Sequence, residues 1–482
     1  MSLYKSLFKQ TLIYGLATVL PRMISFLLNP LYVHALPKAE FADVSIIFAY
    51  LVFFNVILSY GMETAFFRYY NLEENKQNVT KTSLVSIFWT SFIFLAISLL
   101  FRESIAHFIN VKKEYITYTI WILVLDALVI IPFSKLRAEK KSMRYALIKI
   151  GNVTLNLGLN LFFLLVLPHI SKDNPISTLY YENFQVGYIF ISNVVASLLT
   201  LVVLSGHYIK REGQFDKALW KKMINYGLPI LFAGIGFAIN EHFDKILLEK
   251  LHVSKADIGA YSACYKLGMF MVLFRTAYTL GIEPFFFSHA QNENAPQTYA
   301  TITKYFVISG SFILLFVIVF IDLLKGLLVP SQAYWDAIKV VPLIVLANFC
   351  LGIYTNLSVW YKLIDKTHIG AIISLIGAGL TLLLNYWLVP TMSYYGSAVA
   401  TIVAYGSMML ISYYWGQKKY PIPYDINRIA SYMGMSVVLA GVSFYVPKFR
   451  ESYLFGIFAL IAFGYYIYRN EKETILKMVK RK

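Results

Sequence analysis

Eight charged residues stand inside apolar runs long enough to cross a bilayer: Arg22, Asp126, Glu241, Asp244, Lys245, Lys266, Arg275 and Glu283. A charge at mid-membrane costs about 2.5–3.5 kcal/mol by insertion scales, so these groups must face a protein interior or a watery cavity. Two kinds of chemistry fit them. Guanidinium groups such as Arg22 and Arg275 grip a phosphate or pyrophosphate with two parallel N–H bonds, and Lys266 would add a point charge. Carboxylates such as Asp126, Glu241 and Asp244 can bind Na+ or a proton and so couple an ion gradient to movement. Ion pairing between helices explains the same residues without any ligand.

Spacing sorts these candidates. Glu241 and Lys245 stand four apart with the acid first, the geometry of an intrahelical pair, which leaves Asp244 as a surplus anion. Lys266 and Arg275 are nine apart, close to opposite faces of a straight helix. Both reach one cavity only if that helix bends, and Arg275 is the deeper. Arg22 has no acid at i±3 or i±4, where Thr18, Val19, Ser25 and Phe26 stand. Pro21 and Pro30 flank it, and Pro229 with Gly227, Gly234 and Gly236 predicts an irregular helix at the matching place in the second half.

The elements that carry these residues are membrane spans. The 482 residues are 58% hydrophobic and 14% charged, against about 25% charged in soluble chains. A span needs about 20 apolar residues. Candidates are centred near residues 23, 53, 92, 127, 157, 196, 236, 272, 311, 349, 379, 406, 437 and 460, which predicts an all-α polytopic protein of fourteen transmembrane helices. Placing both termini and the alternate loops on one side puts twenty-eight of the 43 Lys and Arg there and ten on the other. By the positive-inside rule that side is the cytoplasm. The net charge of +17 is therefore topological, and a nucleic-acid partner is excluded.

An internal repeat divides the chain. "SLFKQTLIYGL" at 6–16 matches "ALWKKMINYGL" at 218–228, "SYGMETAFF" at 59–67 matches "TLGIEPFFF" at 279–287, and "LNLFFLLVLP" before residue 169 matches "LNYWLVP" before residue 391. Three matches in the same order predict two six-helix lobes of like orientation, related by an axis along the membrane normal. The division is 1–206 for the first lobe, 207–222 for a basic amphipathic cytoplasmic linker and 223–417 for the second lobe. Residues 418–482 supply two further helices and a basic tail.

Enzymatic chemistry finds no support in the residues. The eight His show no paired metal spacing, and no nucleotide loop or Ser/His/Asp set appears,. Neither catalytic residues nor a metal are expected. Cys264 and Cys350 both lie in apolar runs and form no disulfide framework,.

Several stretches resemble the polysaccharide transporters of the multidrug/oligosaccharidyl-lipid/polysaccharide flippase superfamily. They are "RMISFLLNPLYVHALPKAEFADVSII" at 22–47, "NYGLPIL" at 225–231, "DKILLEKL" at 244–251, "ADIGAYSACYKL" at 256–267, "EPFFF" at 283–287, "LLNYWLVP" at 383–390 and "YYGSAVAT" at 394–401. The resemblance implies a bacterial inner-membrane flippase that moves undecaprenyl-pyrophosphate-linked oligosaccharide repeat units by alternating access. O-antigen, capsule or exopolysaccharide would be the product, and a polysaccharide polymerase and glycosyltransferases the functional partners. Cavity cations such as Arg22 and Arg275 would hold the pyrophosphate while the lipid tail stays in the bilayer. Lipid II flippases carry an Arg-Asp pair in the first helix where this chain has Leu28 and Asn29, which argues against lipid II. A drug/cation antiporter would favour a carboxylate-dominated cavity, and a membrane glycosyltransferase or polymerase would show a large extracytoplasmic loop.

Overall fold

The computed structural model describes residues 15, 19–21, 23, 24, 26–171, 173–209, 213–288, 293–450 and 452–480. Every regular element among them is helical. Nine helical segments of the described residues are long and apolar enough to cross a membrane. Large apolar side chains such as Trp89, Phe92, Leu199, Trp387 and Phe458 remain exposed on the helix surfaces. In water such a belt would aggregate; in a bilayer it is solvated. The protein is an all-α, multi-pass membrane protein.

Two compact units divide the chain, Met1–Ser262 and Ala263–Lys482. The first begins with a helix over 26–35 (α1), followed by Lys38–Ser59 (α2), Met62–Leu72 (α3), Lys76–Leu100 (α4), Arg102–Ile109 (α5), Lys113–Ala138 (α6) and Ser142–Leu161 (α7). A π-helical turn, Phe162–Val166, and a 3-10 turn extend α7 to Pro168, where the repeat match ends. Gln185–Leu204 (α8), Gly206–Ile209 (α9), Lys217–Lys250 (α10) and most of Lys255–Tyr265 (α11) complete the unit.

Asp216 starts α10 by accepting a hydrogen bond from the Leu219 amide at 3.0 Å, the geometry of an N-cap. The irregularity expected around Pro229 does not occur, because α10 runs unbroken for 34 residues. One missing donor is tolerable within a bundle, and Gly227 serves packing instead. Tyr60 and Gly61 interrupt the α2–α3 run with positive φ values of 33° and 73°. A Cβ on Gly227 would sit 2.8 Å from the Tyr60 carbonyl oxygen, so the two backbones touch there. The sequence repeat begins its second half at 223, yet α10 packs along α2, α3 and α4 of the first unit.

The second unit comprises a 3-10 turn over Lys266–Gly268, Met269–Ser288 (α12), Ala295–Val319 (α13), Ile321–Leu328 (α14), a 3-10 stretch over Gln332–Val340 and Val341–Leu357 (α15). Val359–Leu363 (α16) and His368–Lys419 (α17) follow. Ser393, at φ 51° and ψ −142°, breaks α17 into two helices. Ile426–Tyr445 (α18), Pro447–Arg450 (α19) and Tyr453–Lys480 (α20) close the chain. Helix α15 packs between α13 and α17, while α18 and α20 lie against α13. Buried Glu471 on α20 receives Lys304 at 2.7 Å, Arg428 at 3.1 Å and the Tyr432 hydroxyl at 3.0 Å.

Candidate functional site

Arg275 lies in the middle of α12 and is only 8% exposed. Its stem crosses Gly352 of α15, coming within 3.8 Å of where a Cβ on that residue would stand. One turn on, the Tyr278 hydroxyl donates to Asn356 Oδ1 at 2.9 Å, and its ring lies 4.6 Å from that of Phe306. A cavity of about 10 Å³ lies beside these groups, lined in part by Tyr278, Thr279, Asn356 and Lys362. That volume holds about one water. The face therefore carries polar and cationic groups beside a cavity too small for a sugar.

Lys266 is half-buried in the 3-10 turn between α11 and α12. The helix is thus not uniformly α-helical between Lys266 and Arg275. Glu283 follows on α12, and its side chain, like the whole of Arg22, lies outside the described residues.

The acidic candidates fall in the first unit. Lys245 Nζ contacts both oxygens of Asp244 at 2.9 Å, and the Tyr261 hydroxyl donates to Asp244 Oδ2 at 2.8 Å. The i,i+4 spacing made Glu241 the expected partner of Lys245 and left Asp244 surplus. The flexible lysine folds back onto its neighbour, so the Asp244 carboxylate is paired. Glu241 Oε2 stands 3.9 Å from His242 Nε2.

Asp126 on α6 accepts from the Ser197 hydroxyl of α8 at 2.7 Å. Lys149 of α7 attracts it electrostatically and also interacts with Glu63 and Arg137. Those two pair at 2.8 Å. Lys149 is not among the sequence candidates; α7 carries it to the neighbourhood of Asp126.

At another edge of the first unit, Lys255 of α11 contacts Asp43 of α2 at 2.6 Å. It also donates to the Asn110 carbonyl, and Lys250 caps Phe108 with its ammonium 3.7 Å from the ring centre. These contacts fasten the start of α11 to the start of α2.

Residues 7–288 match the profile of the polysaccharide biosynthesis protein family. The chain belongs to that family. Residues 229–387 also match the MatE family. No curated protein matches the chain. Among solved structures, the lipid II flippase MurJ in an inward closed conformation is similar, with a TM-score of 0.71 at 16% identity, covering 95% of this chain and 99% of that one. An inward-facing multidrug resistance MATE transporter gives 0.65 at 14% identity, covering 88% and 96%. A Vibrio cholerae MATE transporter gives 0.56 at 15% identity, covering 86% and 97%. These likenesses show a shared fold. Together with the family match they make the protein a flippase or transporter of the multidrug/oligosaccharidyl-lipid/polysaccharide superfamily.

Proposed function

We propose that this polysaccharide biosynthesis protein flips undecaprenyl-pyrophosphate-linked oligosaccharide repeat units across a bacterial inner membrane for O-antigen, capsule or exopolysaccharide assembly. The observation that carries the proposal is a buried arginine, Arg275, beside hydrogen-bonding side chains on α12 and α15, within a chain matched to this family over 7–288. Arg275 and Arg22 hold the pyrophosphate in a cavity, Lys266 adds charge near the bend, and the lipid tail stays in the bilayer. Fourteen spans form lobes 1–206 and 223–417, joined by the linker 207–222, with 418–482 outside the repeat and both termini cytoplasmic. Na+ or proton coupling falls to Asp244, Glu241 and Asp126, with Lys245 contacting the Asp244 carboxylate. A polymerase and glycosyltransferases act on either side of the flipping step.

The match of 229–387 to the MatE family and the MATE-like fold favour, as a second reading, a drug/cation antiporter. The many deep cations favour the anionic lipid-linked substrate. Lipid II fits less well, because the positions where its flippases carry Arg-Asp hold buried Leu28 and Asn29. Deleting the gene tests the proposal. Surface polysaccharide should disappear while lipid-linked repeat units accumulate, and Arg22→Ala or Arg275→Ala should fail to complement at normal abundance. Normal polysaccharide in the deletion strain would overturn it.

A further inference from the structure

A second cationic cavity lies in the same unit, away from α12. About 600 Å³ of space opens where α13 passes into α14 and α18 into α19, lined by Asp322, Lys325, Lys339, Phe444 and Arg450 among others. Arg450 Nε and Nη2 bind the two oxygens of Asp322 at 3.1 and 3.2 Å, and Lys325 contacts the same carboxylate. The Arg450 guanidinium lies 4.6 Å from the Phe444 ring centre, and the Lys325 ammonium 4.1 Å from that of Trp335. Lys339 is exposed at the rim and makes no ion pair among the described residues. Of the described lining, three cations thus surround one carboxylate, leaving an excess of two positive charges.

These cations oppose the topological trend. The charge count assigns this end to the extracytoplasmic side, which is poor in Lys and Arg, so the positive-inside rule does not explain their gathering. The surroundings are apolar on the outside: Leu323 and Leu327 on α14 and Leu454 and Phe458 on α20 are all well exposed. Helix α14, "IDLLKGLL", therefore turns leucines outward while Asp322 and Lys325 face the cavity, as an interfacial helix does. Basic pockets between membrane helices at headgroup depth bind anionic lipid headgroups.

We propose that this cavity binds the phosphate of an anionic phospholipid headgroup, with its acyl chains along the exposed leucines of α14 and α20. Arg450 is fixed by Asp322 and Phe444 and forms the wall, while Lys325 and Lys339 supply the charge that meets the phosphate. The site is independent of the carried substrate. It ties the two helices outside the repeat to the lipid composition of the outer leaflet.

Native mass spectrometry of the detergent-solubilised full chain, titrated with dioleoylphosphatidylglycerol or dioleoylphosphatidylcholine, tests this. Lys339→Gln should weaken phosphatidylglycerol binding about fivefold, and Lys325→Gln with Lys339→Gln by more than tenfold, at about a kilocalorie-scale loss per cation. Binding of phosphatidylcholine should not change. Lys418→Gln, on the basic side, should leave the site's affinity unaltered. Because Lys339 is exposed, its single variant keeps the test valid if the double variant unfolds. Unchanged phosphatidylglycerol affinity in Lys339→Gln would overturn the proposal. So would full competition by millimolar inorganic phosphate, which would make the site one for free anion rather than lipid.

Discussion

Lys255 Nζ lies 2.6 Å from Asp43 Oδ1 and so joins two helices whose residues are more than two hundred positions apart. Just beyond it, a methyl group on Gly259 would overlap the carbonyl oxygen of Lys38. The start of α11 and the start of α2 are thus in backbone contact, locked by one ion pair. Both helix starts belong to the first unit, and in the proposed alternating-access cycle this contact would be the closed end. Cysteines at Asp43→Cys and Lys255→Cys should crosslink readily in membranes, and less when lipid-linked substrate is supplied. Crosslinking indifferent to substrate would make the contact a static brace.

Gly259 and Gly281 provide an internal comparison. Among the described residues, nothing lies within 4 Å of a Cβ built on Gly281. Overpacking a tight site costs about 1–3 kcal/mol, whereas Gly to Ala in an open helix position gains up to about 1 kcal/mol. Gly259→Ala should therefore lower the melting temperature in detergent, and Gly281→Ala should hold or raise it. Equal effects would show that the α11–α2 contact is looser than described.

The pair Asp244–Lys245 separates a structural role from ion coupling. Removing one member of a buried pair strands the other charge and costs about 3–5 kcal/mol. Lys245→Met alone should be strongly destabilising, and Asp244→Asn with Lys245→Met should recover most of the loss. Thermal unfolding of the wild type, Lys245→Met, Asp244→Asn and the double variant measures this coupling. Full transport with the double variant would also show that Asp244 carries no coupling ion.

Much of this arrangement was legible in the sequence, because a bilayer imposes long apolar runs and penalises stray charge. The spans follow from that cost, as does the burial of Arg275 and Asp244. Partner choice was less legible. Lys245 has a four-carbon stem that folds back to its neighbour Asp244, a contact that i,i+4 spacing does not pick out. Pro229 predicted a broken helix, but the bundle tolerates one missing hydrogen bond and α10 stays whole. The Asp322 cluster was invisible because Arg450 stands 128 positions from Asp322 and meets it only through the packing of the chain.

Asp322 also sets a pH expectation. Burial works to raise its carboxyl, but hydrogen bonds from Arg450 and Lys325 outweigh it and hold the group below its ordinary 3.8. A depressed carboxylate stabilises the fold above its unfolded value and loses that effect as pH falls through the folded one. Asp322→Asn should therefore lower the melting temperature by the same amount at pH 5 and pH 8. The gap between variant and wild type should close only below about pH 4. A gap that closes between pH 8 and 5 would assign the effect to another group.

The flipping of a lipid-linked oligosaccharide is tested most directly in proteoliposomes. Fluorescently tagged undecaprenyl-pyrophosphate-linked oligosaccharide is placed in both leaflets, and an added impermeant glycosidase reports what reaches the outside. With wild-type protein, nearly all of the tag should become accessible, and Arg275→Ala should slow this at least tenfold with an unchanged melting temperature. Accessibility that stays at the protein-free level, in vesicles where the same protein exchanges a cationic drug for Na+, would contradict the assignment and leave the antiporter reading in its place.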